Sequence, residues 1–144
     1  MYINGNWIEE AEEKIEVENP ATGKVFDEVP MGNEEDADRA VAAANEAFDD
    51  WKNLTGGERA SHLDKVVESF EANQEKIARK LTQEQGKPLS EARGEVSASI
   101  KAFRYYARKA RDIKGEIYPT ESNQVRSFVI KQPVGPVAAI SPWN

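Results

Sequence analysis

The sequence contains no cysteine and a single histidine, and both scarcities limit its possible chemistry. Without cysteine, the chain forms neither disulfides nor thiolate metal sites, and it offers no thiol nucleophile. The one histidine, His62, precedes Leu63 in a polar stretch. We therefore interpret His62 as a surface residue rather than a general base, and we predict no metal site.

Long hydrophobic runs and an excess of positive charge are also missing. No stretch reaches the roughly 18 apolar residues that a membrane-spanning helix needs. The first residues, Met1–Trp7, lack both the basic start and the apolar run of a signal peptide. The net charge is -7, so the overall field repels nucleic acids and anionic lipid surfaces. We expect neither nucleic acid nor a membrane as a partner, and a cytoplasmic location.

The N-terminal residues have the pattern of short strands joined by tight turns. Asn4-Gly5-Asn6 predicts a hairpin turn, because Asn and Gly tolerate the positive φ angles that such turns require. Asn19–Gly23 contains a proline and a glycine and predicts a second turn. The predicted strands are Tyr2–Ile3, Trp7–Ile8, Ile15–Glu18 and Lys24–Val29. Together they suggest a small antiparallel meander.

Helical periodicity begins at Glu34, and the central part of the chain predicts three or four long helices. In the first helix, apolar residues recur at intervals of three and four and define one face: Ala37, Ala40, Val41, Ala44, Ala47, Phe48 and Trp51. Thr55 and Glu58 have the spacing of a capping box, which predicts the start of a second helix. That helix either continues through Asn73 or restarts there, and Gly86-Lys87-Pro88 ends it.

A third helix is predicted from about Leu89 to Ile113. Its inward stripe consists of Ala92, Val96, Ile100, Phe103, Ala107 and Ala110. We expect core packing for the aromatic side chains of Phe103, Tyr105 and Tyr106. The glutamates near the start of the helix, Glu84, Glu91 and Glu95, are interpreted as solvated or ion-paired with Lys87 and Arg93.

Extended structure is predicted again after Gly115. Ser127–Lys131 has the composition of a strand. Val137–Ile140 is a continuous apolar run, which is typical of a strand covered on both faces in a parallel sheet. Because the sequence supplies no parallel neighbours for this strand, we expect the chain to be a truncated part of a larger fold.

The segment Pro133–Asn144 resembles the aldehyde dehydrogenase family pattern Pro-Val-Gly-x-Val-x-x-Ile-(Thr/Ser)-Pro-Trp-Asn. Further family-like motifs are Ile3-Asn4-Gly5 with Trp7, Asn19–Gly23, Gly86–Leu89 with Glu84, and Tyr105–Ala107. The resemblance implies an α/β fold: an incomplete Rossmann-like cofactor domain with N-terminal β-hairpins, long helices and a β-arm. It divides the chain into residues 1–115 of the NAD(P)-binding domain, an oligomerisation arm at 116–133, and the first sheet strand and turn at 134–144.

The resemblance also implies the cofactor, NAD or NADP, and the residues that contact it. Ile140, Ser141, Pro142 and Trp143 would lie along the cofactor, and Asn144 would join them while stabilising the oxyanion of the reacting aldehyde. Family members also need a cysteine nucleophile, a glutamate base and a G-S-T-x-x-G turn. Because these 144 residues contain no cysteine, we expect the chain alone to be inert.

The resemblance leaves several alternatives for substrate and partner. Motifs such as Gln85–Leu89 and Val129–Pro133 look most like succinate-semialdehyde dehydrogenases, with lactaldehyde or an aminoaldehyde as other possible substrates. In the family the 116–133 arm pairs subunits, which implies a homo-oligomer (dimer or tetramer). The alternative is that this segment is a flexible loop. The competing hypothesis is a non-catalytic helical protein-interaction domain.

Overall fold

The computed structural model describes residues 1–142, and within this range the chain forms six short strands and three helices. In chain order they are β1 (Tyr2–Ile3), β2 (Asn6–Trp7), β3 (Lys14–Asn19), β4 (Lys24–Pro30), α1 (Glu34–Trp51), α2 (Gly56–Gln85), α3 (Leu89–Arg111), β5 (Glu116–Tyr118) and β6 (Ser127–Val129). The predicted mixed α/β class is confirmed, with three helices.

The N-terminal strands form two separate hairpins. In the first, β1 pairs antiparallel with β2, and the turn residues Asn4 and Gly5 have φ of 49° and 78°, as a type I′ turn requires. In the second, β3 pairs with β4, with a register shift between Val17 and Glu18. The predicted continuous meander is wrong, since each sheet has only two strands. The connection between the hairpins is rich in glutamate, and charged residues of this kind disfavour pairing along a strand edge.

The α2–α3 hairpin contains most of the hydrophobic core. The predicted capping box is present: Thr55 accepts a hydrogen bond from the Glu58 amide, and the Glu58 carboxylate accepts one from the Thr55 amide. α2 continues unbroken through Asn73 and ends at Gly86, whose φ of 75° is left-handed. The core cluster comprises Val67, Ala78, Ala92, Val96 and Ile100. This confirms much of the inward stripe predicted for α3.

α1 is a helix as predicted, yet its apolar face is not covered. Asn33 and Asp36 form a capping box at its start. No residue of α1 is buried, and Val41 is 57% exposed. Because helices in proteins gain most of their stability from packing an apolar face, α1 lacks that contribution within the described residues.

The strand predicted at Val137–Ile140 is not formed. Residues 130–142 have no regular secondary structure, and Val134, Val137 and Ile140 are 94%, 78% and 100% exposed. A buried parallel strand needs hydrogen-bonding neighbours on its edges and cover on both faces. The described residues supply neither, so the apolar run stays extended and exposed.

A short two-stranded arm precedes this segment. β5 and β6 pair antiparallel, with Ile117 opposite Phe128, and both of these side chains are largely exposed. β6 ends at Val129, two residues earlier than predicted. Among residues 1–142, no helix combines the length and the hydropathy that crossing a bilayer would require.

Candidate functional site

The predicted cofactor-contacting segment lies at the end of the described chain. Ile140, Ser141 and Pro142 are exposed, and none of them belongs to a helix or strand. Two further predicted site residues, Trp143 and Asn144, lie outside the described residues. The described part of the chain therefore places three of the five predicted residues side by side in sequence, without an enclosing pocket.

The residues that lead into this segment lie beside the end of α1. A groove of about 760 Å³ is lined by four of them, Pro133, Gly135, Pro136 and Val137, together with Phe48, Trp51 and His62. The rings of Trp51 and His62 are in contact, with centroids 5.4 Å apart. His62 is exposed, as predicted. The sequence pattern placed Trp51 on the apolar face of α1, but it gave no sign that this face would adjoin Pro133–Val137.

A second cavity, of about 510 Å³, shares Trp51 and Pro133 with the groove, and most of its charged lining residues are positive. Its lining includes Lys52, Arg59, Lys109 and Lys131, with Asp112 as the one acidic residue.

Three of these cations already have partners. Lys52 pairs with Asp49, the Arg59 guanidinium donates to the Leu54 carbonyl, and the Lys109 ammonium lies 5.7 Å from the centre of the Tyr105 ring. All three interactions are local, since each partner lies within five residues of its cation, so they account for the cations as structural groups.

Perturbed ionisable groups occur on the surface, away from residues 140–142. The Arg93 guanidinium hydrogen-bonds to Glu75 and lowers the pKa of that carboxyl. Hydrogen bonds from Thr55 lower the pKa of Glu58, and a hydrogen bond from Lys114 lowers the pKa of Asp112. These shifts come from exposed ion pairs and a helix cap, which stabilise the fold and do not by themselves mark a reactive site. Within the described range, no three acidic or histidine side chains converge as a metal site would require.

The aromatic residues of α3 divide into two groups. Phe103 packs against Phe70, with ring centroids 5.6 Å apart, which confirms its predicted core position. Tyr105 and Tyr106 are 54% and 62% exposed, so the prediction of core packing is wrong for both. Tyr105 follows Phe103 by two positions, about 200° around the helix, which turns it away from the face that contacts α2. Tyr106, three positions after Phe103, lies about 60° from it, at the edge of that face.

The glutamates assigned to ion pairing are largely consistent with that interpretation. Glu95 pairs with Lys87, as predicted. Arg93 pairs instead with Glu75 of α2, through two hydrogen bonds of 2.8 Å. The sequence could not reveal this partner, because it lies on the opposite helix.

Comparison with known proteins places this sequence among aldehyde dehydrogenases. The pattern of the Aldehyde dehydrogenase family matches residues 7–144. A glutarate-semialdehyde dehydrogenase of Pseudomonas putida is 42% identical over 99% of the chain, and a mitochondrial succinate-semialdehyde dehydrogenase of Arabidopsis thaliana is 41% identical over 99%. The chain spans 30% and 27% of the lengths of these two relatives.

Solved structures show the same fold. An NADP-dependent enzyme of E. coli superposes with a TM-score of 0.93 and 40% identity, over 98% of this chain and 30% of its own. A betaine aldehyde dehydrogenase of Staphylococcus aureus in complex with NAD+ gives a TM-score of 0.85 and 30% identity, over 92% of this chain and 27% of its own. The arrangement of hairpins, helices and arm is therefore part of a Rossmann-like enzyme fold. The chain belongs to the aldehyde dehydrogenase family.

Proposed function

We propose that the chain is the N-terminal part of an NAD(P)-dependent aldehyde dehydrogenase that oxidises a semialdehyde to a carboxylate. The observation that carries this proposal is the family match over residues 7–144, which includes the Ser141–Asn144 turn. Succinate or glutarate semialdehyde is the favoured substrate class, because the relatives named above act on these compounds. The chain alone would be inert, since its 144 residues contain no thiol to attack an aldehyde.

Each residue of the turn has a role in this proposal. Ile140, Pro142 and Trp143 would supply apolar surface to the cofactor, and the Ser141 hydroxyl would supply a hydrogen bond. The exposed side chains of Ile140, Ser141 and Pro142 suit this role, because nothing in the described chain covers them. Bound NAD or NADP would accept the hydride from the substrate.

Asn144 would act on the substrate itself. When a thiol from the rest of the enzyme attacks the aldehyde, the carbonyl oxygen gains negative charge. The Asn144 amide would donate a hydrogen bond to that oxygen and remain neutral throughout. Such a donor contributes more to the transition state than to the bound aldehyde, so it raises the rate of the chemical step.

The remaining parts of the proposal concern organisation. Residues 1–115 would belong to the NAD(P)-binding domain, 134–144 would enter its sheet, and 116–133 would pair subunits into a dimer or tetramer. The exposed Ile117 and Phe128 side chains of the arm support such pairing, because an isolated two-stranded arm gains stability from further strands. A cytoplasmic location stays a prediction, since one relative is a mitochondrial enzyme by name.

The test is an assay of cofactor reduction on two proteins: this chain, and the product of any reading frame that continues past Asn144. Each is supplied with NAD or NADP and with succinate semialdehyde, glutarate semialdehyde, lactaldehyde or an aminoaldehyde. We expect turnover from the longer product only, highest with a semialdehyde. Turnover by the 144-residue chain, or none by a longer folded product with any of these aldehydes, would contradict the proposal.

Asn144 is tested in the same longer product. Asn144→Ala is expected to lower kcat by about 100-fold, as loss of an oxyanion donor does. The control is Asn73→Ala on the exposed surface of α2, where the amide bonds only to the Ser69 carbonyl. An Asn144→Ala variant with unchanged kcat would remove the assigned role and leave the family assignment intact.

A further inference from the structure

The turn between β1 and β2 combines three features of a chemical modification site. Asn4 is exposed and is followed by glycine. An added Cβ on Gly5 would find no atom within 4 Å, so the turn is sterically open. Every other asparagine that has a following residue, such as Asn6, Asn33 and Asn73, precedes a residue larger than glycine. In an exposed Asn-Gly sequence, the glycine has no side chain to hinder its backbone nitrogen, which can therefore attack the side-chain amide of the asparagine.

We infer that Asn4 is a site of spontaneous deamidation and that the β1–β2 hairpin controls its rate. In the reaction, the Gly5 backbone nitrogen forms a bond to Cγ of Asn4, and the side-chain amide leaves as ammonia. Water then opens the five-membered imide at either carbonyl, giving aspartate or isoaspartate at position 4. Either product adds one negative charge to a chain whose net charge is -7.

The closed hairpin opposes the first step through backbone geometry. Asn4 has φ of 49°, in the left-handed region, where ψ is about +30 to +60°. At such ψ values the following nitrogen points away from Cβ, so the Gly5 nitrogen does not face the Asn4 side chain. A hydrogen bond of 2.9 Å from the Asn6 side chain to the Asn4 carbonyl also holds this peptide in place. Attack therefore requires the turn to open first.

Opening is expected to be frequent because little holds the hairpin closed. Its strands contain two residues each and are extended by one pair of hydrogen bonds between Met1 and Ile8, and hairpins of this size are marginally stable. Across the strands, the Tyr2 and Trp7 rings make an edge contact with centroids 5.2 Å apart, and both side chains are mostly exposed. Local opening of such an element precedes unfolding of the core.

The two products differ in their effect on the hairpin. Aspartate at position 4 is compatible with the turn, because Asp-Gly also favours type I′ geometry. Isoaspartate lengthens the backbone by one atom, which a two-residue turn cannot accommodate without shifting the pairing of Tyr2 with Trp7. Conversion to isoaspartate would therefore prevent the hairpin from re-forming its native strand pairing.

The first experiment needs no variant. The chain is incubated with and without urea at mildly alkaline pH, and peptide mapping by mass spectrometry follows conversion at every asparagine. We expect Asn4 to convert first in both samples, and about tenfold faster in urea, where the hairpin cannot protect it. Faster conversion of another asparagine would contradict the assignment of Asn4 as the deamidation site. Equal rates at Asn4 in the two samples would contradict the claim that the hairpin controls the rate.

The second experiment changes hairpin stability directly. Trp7→Ala removes the cross-strand contact with Tyr2 and is expected to raise the rate at Asn4 about fivefold. Trp51→Ala, which removes a similar ring contact with His62, is the matched control and should leave the rate unchanged. Circular dichroism verifies that α1–α3 remain folded in both variants. Equal deamidation rates at Asn4 in Trp7→Ala and in the chain without the substitution would overturn the inference.

Discussion

The α2–α3 hairpin and the segment 130–142 contain similar apolar side chains, yet only the hairpin buries them. Ile100 of α3 is 5% exposed, whereas Ile140 is 100% exposed. The difference lies in what each region finds nearby. α2 and α3 are consecutive helices that cover each other's apolar stripe, while residues 130–142 only border an open groove beside α1, which leaves Val134, Val137 and Ile140 exposed. Apolar side chains are thus buried only where a second apolar surface packs against them.

Ion pairs add a second difference between the two regions. Acidic residues of α2 pair with arginines of α3 along the length of the hairpin: Asp64 with Arg111, Glu71 with Arg104, and Glu75 with Arg93. These pairs are half exposed, so each contributes little stability, but Asp64–Arg111 and Glu71–Arg104 match the same antiparallel register. The described part of 130–142 has no such ion pair to set its position.

The largest expected effect comes from truncating the same residue type in each region. Ile100→Ala should lower the free energy of unfolding by about 2–5 kcal/mol, because it leaves a cavity in the core. Ile140→Ala should change it by less than about 0.5 kcal/mol, because the side chain is fully exposed. Urea unfolding of the 144-residue chain measures both. Equal losses would show that residues 130–142 pack as tightly as the hairpin does.

A pair of adjacent glycines tests the close approach of the two helices. A Cβ on Gly56 would lie 2.2 Å from the Ala110 carbonyl oxygen, so Gly56→Ala must displace backbone. We expect a loss of about 1–3 kcal/mol, as for overpacked sites. Gly57→Ala is the control, since its Cβ would meet only Thr55 Oγ1, at 3.8 Å. A lower melting temperature for Gly57→Ala than for Gly56→Ala would contradict this close approach of the helices.

Removing the helix caps compares α2 with α1. Thr55→Ala removes the side-chain acceptor at the start of α2 and should lower global stability by about 1 kcal/mol. Asn33→Ala removes the equivalent group of α1, which is not part of the core. We expect its effect to appear as faster amide exchange within α1 while the global unfolding midpoint stays unchanged. A matching fall in midpoint would mean that α1 unfolds together with the hairpin.

The smallest expected effect is the pH dependence of the Glu75–Arg93 pair. The pKa of Glu75 is lowered from its usual value of 4.5, so the unfolded chain binds the proton more readily. The pair therefore stabilises the hairpin above about pH 4.5, and this contribution is lost as pH falls through the lowered folded pKa. Glu75→Gln should flatten the fall in melting temperature below pH 4.5, whereas Glu46→Gln on α1 should not. High salt should reduce the difference, because the pair is exposed.

Local structure followed closely from the sequence. Asn4-Gly5 predicted its turn because few residues tolerate the positive φ required at both positions. Thr55 with Glu58 predicted a helix start because the two side chains satisfy each other's backbone amides. The inward stripe of α3 was predicted correctly because its partner, α2, is adjacent in sequence. In each of these cases the determining contacts lie close together along the chain.

The features that the sequence did not predict depend on contacts between residues far apart in the chain. The run Val137–Ile140 predicted a buried strand, but a strand forms only where neighbours accept its hydrogen bonds. Tyr105 was assigned to the core by composition, although its position on α3 turns it away from α2. The partner of Arg93 lies 18 positions away, on another helix. At the candidate site, the residues came from a family resemblance, and within residues 1–142 no surface encloses them.

Hydrogen exchange of backbone amides tests most directly whether the two regions differ as described. In the 144-residue chain, we expect slow exchange in α2 and α3 and rapid exchange throughout residues 130–142. In a longer aldehyde dehydrogenase product, residues 137–140 should become as slow as the core of α3, because sheet neighbours would then accept their hydrogen bonds. Slow exchange at 137–140 in the 144-residue chain, or rapid exchange there in a folded longer enzyme, would contradict the account.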